Sequence, residues 1–282
     1  MKTNHLKLID CLTLWGICFL LFAVLGGLLA GALGVWAYYL CQVGALIATL
    51  IIAKRTGFAA SKLLAGGTQS VGHTIGGTLV WVGCLLTVIP LFLLSHLLVP
   101  GFAVTTFHIY HHTSSHWAVA GLILLSGISE SILFDGFLFP RLRGLGKERP
   151  WLPYLLISVL SGFYHADLYV LLPMGILSAG IAYVRQKTGG LSLPMILRIL
   201  TVLILTAYMQ VSDTGEALLG SSMGGVQVVG FALIFVGAAL PSVICGARCL
   251  GDFKDRSFFE KCLVVAIPVV LIAAGCGIST IG

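Results

Sequence analysis

Apolar runs of roughly 20 residues alternate with short polar or glycine-rich stretches along the whole chain, and that length is what an α-helix needs to cross a bilayer. The runs fall at about residues 11–31, 35–53, 75–99, 117–139, 151–169, 170–184, 191–211, 226–246 and 263–281. None shows the apolar/polar alternation of a barrel strand, and helices are the remaining way to satisfy a backbone in lipid. The pattern predicts an all-α polytopic membrane protein with about nine transmembrane helices (eight to ten). The pairing of the fifth and sixth is the least regular part of the pattern. The first run is followed by a segment just as apolar, so it reads as half of a transmembrane hairpin rather than a signal peptide. With no linker or composition shift, residues 1–282 are expected to form a single integral membrane domain.

Composition agrees with the pattern. Hydrophobic residues make up 58% and charged residues only 9%, where soluble domains carry about 25% charged; the mean hydropathy is +1.05. The formal charge of +6 does not point to nucleic acid, because its distribution follows the spans. With the N-terminus inside, every Lys and Arg but one of the 16 falls in a cytoplasmic segment. This positive-inside pattern implies a multi-pass protein of the cell membrane with a cytoplasmic N-terminus. The eight cysteines form no C-x-x-C and most lie in apolar runs, so no disulfide framework is expected. The 35 glycines include small-xxx-small pairs, Gly27 with Gly31 and Gly72 with Gly76, of the kind that let helices approach closely.

The exception among the basic residues is Arg198, in the middle of the seventh run. Glu130 and Asp135 lie inside the fourth run and His165 inside the fifth. At a rise of 1.5 Å per residue, Glu130 is about 15 Å from the cytoplasmic end of its helix, His165 about 20 Å and Arg198 about 12 Å. Three helices thus bring an ionisable group to a similar depth, where a charge costs roughly 2.5–3.5 kcal/mol on insertion scales. Asp135 lies nearer the cytoplasm, five residues from Glu130 and so off its line on an α-helix. Two readings follow. In one, Arg198 pairs with Asp135 or Glu130 and the pair fixes helix packing. In the other, Glu130 activates a water, assisted by His165, in a polar pocket within the membrane.

The segments Glu130-Ser-Ile-Leu-Phe-Asp-Gly-Phe-Leu, Leu160-Ser-Gly-Phe-Tyr-His165 and Thr188-Gly-Gly-Leu191 resemble the CPBP family of CAAX prenyl endopeptidases and bacteriocin-processing or immunity proteins. The likeness covers about residues 117–211, which it marks as a CPBP-like core. It implies an intramembrane glutamate endopeptidase acting on membrane-associated or prenylated peptides, with Glu130 and His165 as the catalytic pair. The chain departs from the family motifs at five positions. Ser131 stands at the second Glu of E-E-x-x-x-R and Asp135 at its Arg; Ser161 stands at the Phe of F-x-x-x-H; Arg198 and Val202 stand at the His and Asn of the third motif. A positive charge has in effect moved from the position of Asp135 to that of Arg198. The resemblance therefore leaves two functions open: a weakened peptidase, and an inactive homologue acting by binding, as in bacteriocin immunity or as a membrane scaffold.

A transporter using the buried charges as an ion or proton relay is a third reading, but no repeated half or pair of broken helices points to it. No P-loop, dinucleotide fingerprint or H-E-x-x-H occurs. His108, His111, His112 and His116 share one expected external loop. His108, His112 and His116 at i, i+4 spacing would suit a divalent metal if helical. Histidines in a surface loop more commonly bind nothing. No other cofactor is expected, and the expected partners are the lipid bilayer and a peptide substrate.

Overall fold

A computed structural model describes residues 2–58, 70–98, 115–144, 149–165, 168–219, 225–251 and 258–279. Among these the protein is all-α and polytopic, with nine helices: α1 (2–33), α2 (Val35–Arg55), α3 (Val71–Leu98), α4 (His116–Arg143), α5 (Leu152–Tyr164), α6 (Leu168–Thr188), α7 (Ser192–Leu219), α8 (Gly225–Cys249) and α9 (Phe258–Ser279). Long apolar stretches able to cross a membrane occur in five of them: Lys7–Leu33, Val35–Arg55, Val71–Leu91, His116–Arg143 and Val226–Cys249. Shorter apolar stretches occur in α5, α7 and α9.

The helices group into two compact units, 1–68 with 104–208, and 69–103 with 209–282. The first is packed around Leu133, Phe134, Phe137, Leu138 and Leu142 of α4, with Leu14 and Cys18 of α1 and Leu160 and Tyr164 of α5. Hydrogen bonds tie its helices together: the Trp15 indole of α1 donates to the Leu160 carbonyl (2.7 Å), and the Tyr39 hydroxyl of α2 donates to the Ala118 carbonyl (2.6 Å). In the second unit the Ser242 hydroxyl of α8 donates to the Leu79 carbonyl of α3 (2.7 Å), and small residues bring the helices close. A Cβ on Gly83 of α3 would fall 2.9 Å from the Ala239 carbonyl oxygen of α8, and one on Gly237 would fall 3.0 Å from that of Pro268 in α9. Of the glycine pairs seen in the sequence, Gly76 packs tightly on α8, while Gly27 and Gly31 of α1 have open space beside them. A repeated small residue permits close approach; only a facing helix makes it happen.

Two local features differ from uniform α-helical spans. The expected fifth span runs through His165 to residue 169, whereas α5 ends at Tyr164 and α6 resumes at Leu168. Its neighbour explains the tight return. Ser158 donates to the Gly175 carbonyl (2.8 Å), Ser161 and Ser178 share a hydrogen bond, and Tyr154 donates to Gln186. These contacts zip α5 against α6 up to the turn, and His165 is left at the α5 C-cap. The second feature is a π-helical stretch, Ser131–Leu138, inside α4 and directly after Glu130. Such stretches widen the turn to i→i+5 hydrogen bonding and occur often at functional sites.

Candidate active site

The wider turn decides where the carboxylates point. On a regular α-helix, residues five apart project about 140° from each other. A turn closed by i→i+5 bonds brings them nearly over one another. Glu130 and Asp135 consequently reach the same cation. The Arg198 Nε lies 3.0 Å from Asp135 Oδ2 and its Nη2 lies 3.3 Å from Oδ1, a bidentate clasp. Its Nη1 lies 3.5 Å from Glu130 Oε2, an ion pair without hydrogen-bond geometry, and donates to Ser178 Oγ at 3.3 Å. All three charged side chains are buried.

Each partner is held from its own helix. Helices α4 and α7 approach closely at Gly127, where a Cβ would fall 2.7 Å from the Ile199 Cα, one residue from Arg198. Only a residue without a side chain lets the guanidinium come this near to α4. Ser131 donates to Asp135 Oδ2 (3.3 Å), and the Arg198 guanidinium lies over the Phe134 ring, 5.3 Å from its centroid. Arg185, which the sequence places in a cytoplasmic loop, is instead buried: its Nε donates to the Asp135 carbonyl (3.3 Å) and its Nη1 to the Gly189 carbonyl. Gly189 has φ of +69°, the left-handed conformation that lets the chain leave α6 and enter α7. The T-G-G-L motif thus builds the turn below the site.

His165 belongs to the same neighbourhood through aromatic packing rather than a direct bond. The ring of Phe134 meets Tyr164 edge-on (5.3 Å between centroids), and Tyr164 meets the His165 ring edge-on (5.6 Å). The buried His165 Nε2, Tyr164 hydroxyl and Glu130 Oε2 have no hydrogen-bond partner among the described residues. A polar atom buried this way is costly, about 1–3 kcal/mol, so a cluster of three calls for an explanation. Above Glu130, Gln42 of α2 donates to Ser126 Oγ (2.9 Å) and accepts from Ser129, completing a polar wall on α4.

Sequence reasoning named Glu130, Asp135, His165 and Arg198, but missed Tyr164, Ser178 and Gln42. Tyr164 is adjacent to His165 and could have been noticed on that ground; Ser178 and Gln42 carry no local signal. Among the histidines of the loop before α4, His108, His111 and His112 lie outside the described residues, and His116 is exposed in the first turn of α4. Among the described residues no group of three or more His, Cys, Asp or Glu side chains could hold a metal ion.

Fold and site together define a polytopic helical membrane protein with a buried carboxylate, histidine and arginine set. Residues 112–204, about a third of the chain, match the family model of type II CAAX prenyl endopeptidases, Rce1-like, so the CPBP resemblance of the sequence motifs holds over this segment. All the residues around Arg198 named above, except Gln42, lie within the match. No curated protein and no solved structure matches the chain.

Proposed function

We propose that the protein is an intramembrane endopeptidase that hydrolyses peptide bonds of membrane-associated or prenylated substrates. The observation that carries this reading is that Glu130 Oε2, which faces Arg198 across 3.5 Å, and His165 Nε2 are both buried without a hydrogen bond among the described residues, within the segment that matches the endopeptidase family. Glu130 is the general base. It takes a proton from water as the oxygen attacks the scissile carbonyl carbon, and the carbonyl electron pair moves onto its oxygen. His165 positions that water or donates to the developing oxyanion. Collapse breaks the C–N bond, and Glu130 returns the proton to the leaving amine. The reaction draws on water alone and needs no resident cofactor. The protein works as a multi-pass component of the cell membrane with its N-terminus in the cytoplasm, the orientation that the distribution of Lys and Arg favours.

In this scheme Arg198 and Asp135 form a structural charge pair. Arg198 holds Glu130 close to the α4–α7 seam and faces both carboxylates. The same contact favours a second reading: a cation at the position of the family's second histidine ties up the base, and the chain acts by binding without hydrolysis. Purified protein in lipid nanodiscs, supplied with a farnesylated peptide ending in a CaaX sequence, separates the two. The endopeptidase reading expects release of the C-terminal tripeptide, abolished by His165→Ala. Absence of any release from the intact protein would favour the binding reading.

A further inference from the structure

We propose that Tyr164 is a further catalytic residue, its phenolic hydroxyl donating a hydrogen bond to the oxyanion that forms as the scissile carbonyl is attacked. The proposal rests on the endopeptidase reading above and names a residue which that reading does not use. Tyr164 is 2% exposed, at the last helical position of α5 and next to His165. Its ring is fixed on three sides, by Phe22 of α1 (4.9 Å between centroids), by Phe134 of α4 (5.3 Å) and by His165 (5.6 Å). Its hydroxyl has no hydrogen-bond partner among the described residues. Packing alone does not account for it: a phenylalanine would fill the same space without burying an unpaired donor.

Shared packing ties Tyr164 to the reacting groups. The Phe134 ring carries Tyr164 on an edge and the Arg198 guanidinium over its face, and Arg198 in turn faces Glu130, so Tyr164 packs on the assembly that holds the carboxylate. The third family motif supplies Arg198 and Val202 where a His and an Asn stand in the motif. Val202 can donate nothing through its side chain, and Arg198 is already clasped by Asp135. With His165 positioning the water, the oxyanion takes its neutral donor from another group, and Tyr164 is a buried one without a hydrogen bond among the described residues. The electron bookkeeping is unchanged: the carbonyl π pair moves to oxygen, Tyr164 keeps its proton while donating to it, and the pair returns when the C–N bond breaks.

The test is Tyr164→Phe in the intact protein in nanodiscs, with the farnesylated CaaX peptide as substrate. Removing one oxyanion donor lowers kcat about 10²–10³-fold. The expected result is a loss of that order with KM changed less than threefold and Tm no lower than that of the unsubstituted protein. Tyr164→Phe retaining kcat within threefold would overturn the role of Tyr164 while leaving the endopeptidase reading intact. Should the unsubstituted protein release no tripeptide at all, the endopeptidase reading fails and this role with it. A fall in kcat matched by a fall in Tm would make the hydroxyl structural. Tyr164→Leu, which removes the ring as well, is expected to lower Tm, showing that the assay of stability responds at this position.

Discussion

Two regions of this molecule hold their helices together by different means. In the unit formed by 69–103 and 209–282, no polar or charged side chain among those whose burial is described is buried; helix meets helix through Gly76, Gly83, Gly237 and Gly246, and the half-buried Ser242 hydroxyl of α8 donates to the Leu79 carbonyl of α3 (2.7 Å). In the other unit, fifteen polar or charged side chains are buried, including Glu130, Asp135, Arg185 and Arg198. Lipid tails are as apolar as leucine, so helices in a membrane associate through close packing and interhelical hydrogen bonds. The glycine seams show that this chain can bring membrane helices together without burying a charged side chain among the described residues. Burying two carboxylates around one arginine is therefore not what cohesion requires, and the cost points to chemistry.

The largest effect is expected at Arg198. Arg198→Met leaves Glu130 and Asp135 buried without their cation and is expected to lose about 3–5 kcal/mol of stability, read from unfolding in detergent. Combining it with Asp135→Asn sharpens the result. The double substitution should cost less than the two single costs added, with a coupling of about 0.5–3 kcal/mol, because the bidentate clasp is lost only once. Additive costs would mean that the clasp contributes nothing.

A smaller loss is expected in the glycine-built unit. Gly83→Ala places a Cβ against Val243 Cγ2, 2.9 Å from the Ala239 carbonyl oxygen and 3.1 Å from the Val243 backbone nitrogen; the valine side chain can turn aside, but the two backbone atoms cannot. Overpacking of this kind costs about 1–3 kcal/mol. Thermal unfolding should detect it, and cleavage per folded molecule should stay unchanged. The smallest effect is expected at Gln42. Gln42→Leu removes two interhelical hydrogen bonds to Ser126 and Ser129, and such bonds in membranes average about 0.6 kcal/mol. A loss well above 2 kcal/mol would show that the α2–α4 wall is structural to a degree the comparison does not allow.

Much of the fold is legible in the sequence because membrane helices announce themselves by length. The nine helices overlap the nine apolar runs, and the charged residues inside the runs stand out against them. What could not be read was angular. An α-helical wheel separates Glu130 from Asp135, and nothing in S-I-L-F-D-G-F-L signals the π-helical widening that brings both to Arg198. Depth along an axis could not place His165 either, since α5 ends one residue before it. Arg141 and Arg185 read as loop charges, yet Arg141 is buried with its Nη1 2.7 Å from Asp10 Oδ2, and Arg185 closes the turn at Gly189. A long basic side chain at a helix end can fold back along the protein as readily as it can reach water.

The central claim is that Glu130 is buried for chemistry rather than for cohesion, and Glu130→Gln tests it most directly. The substitution keeps the shape of the side chain and removes its charge, leaving the Asp135–Arg198 clasp in place. Thermal unfolding and tripeptide release should be measured on one nanodisc preparation. The account expects Tm at or near that of the unsubstituted protein and release reduced at least 10³-fold. Unchanged release, or a Tm that falls far enough to explain the lost activity, would contradict it.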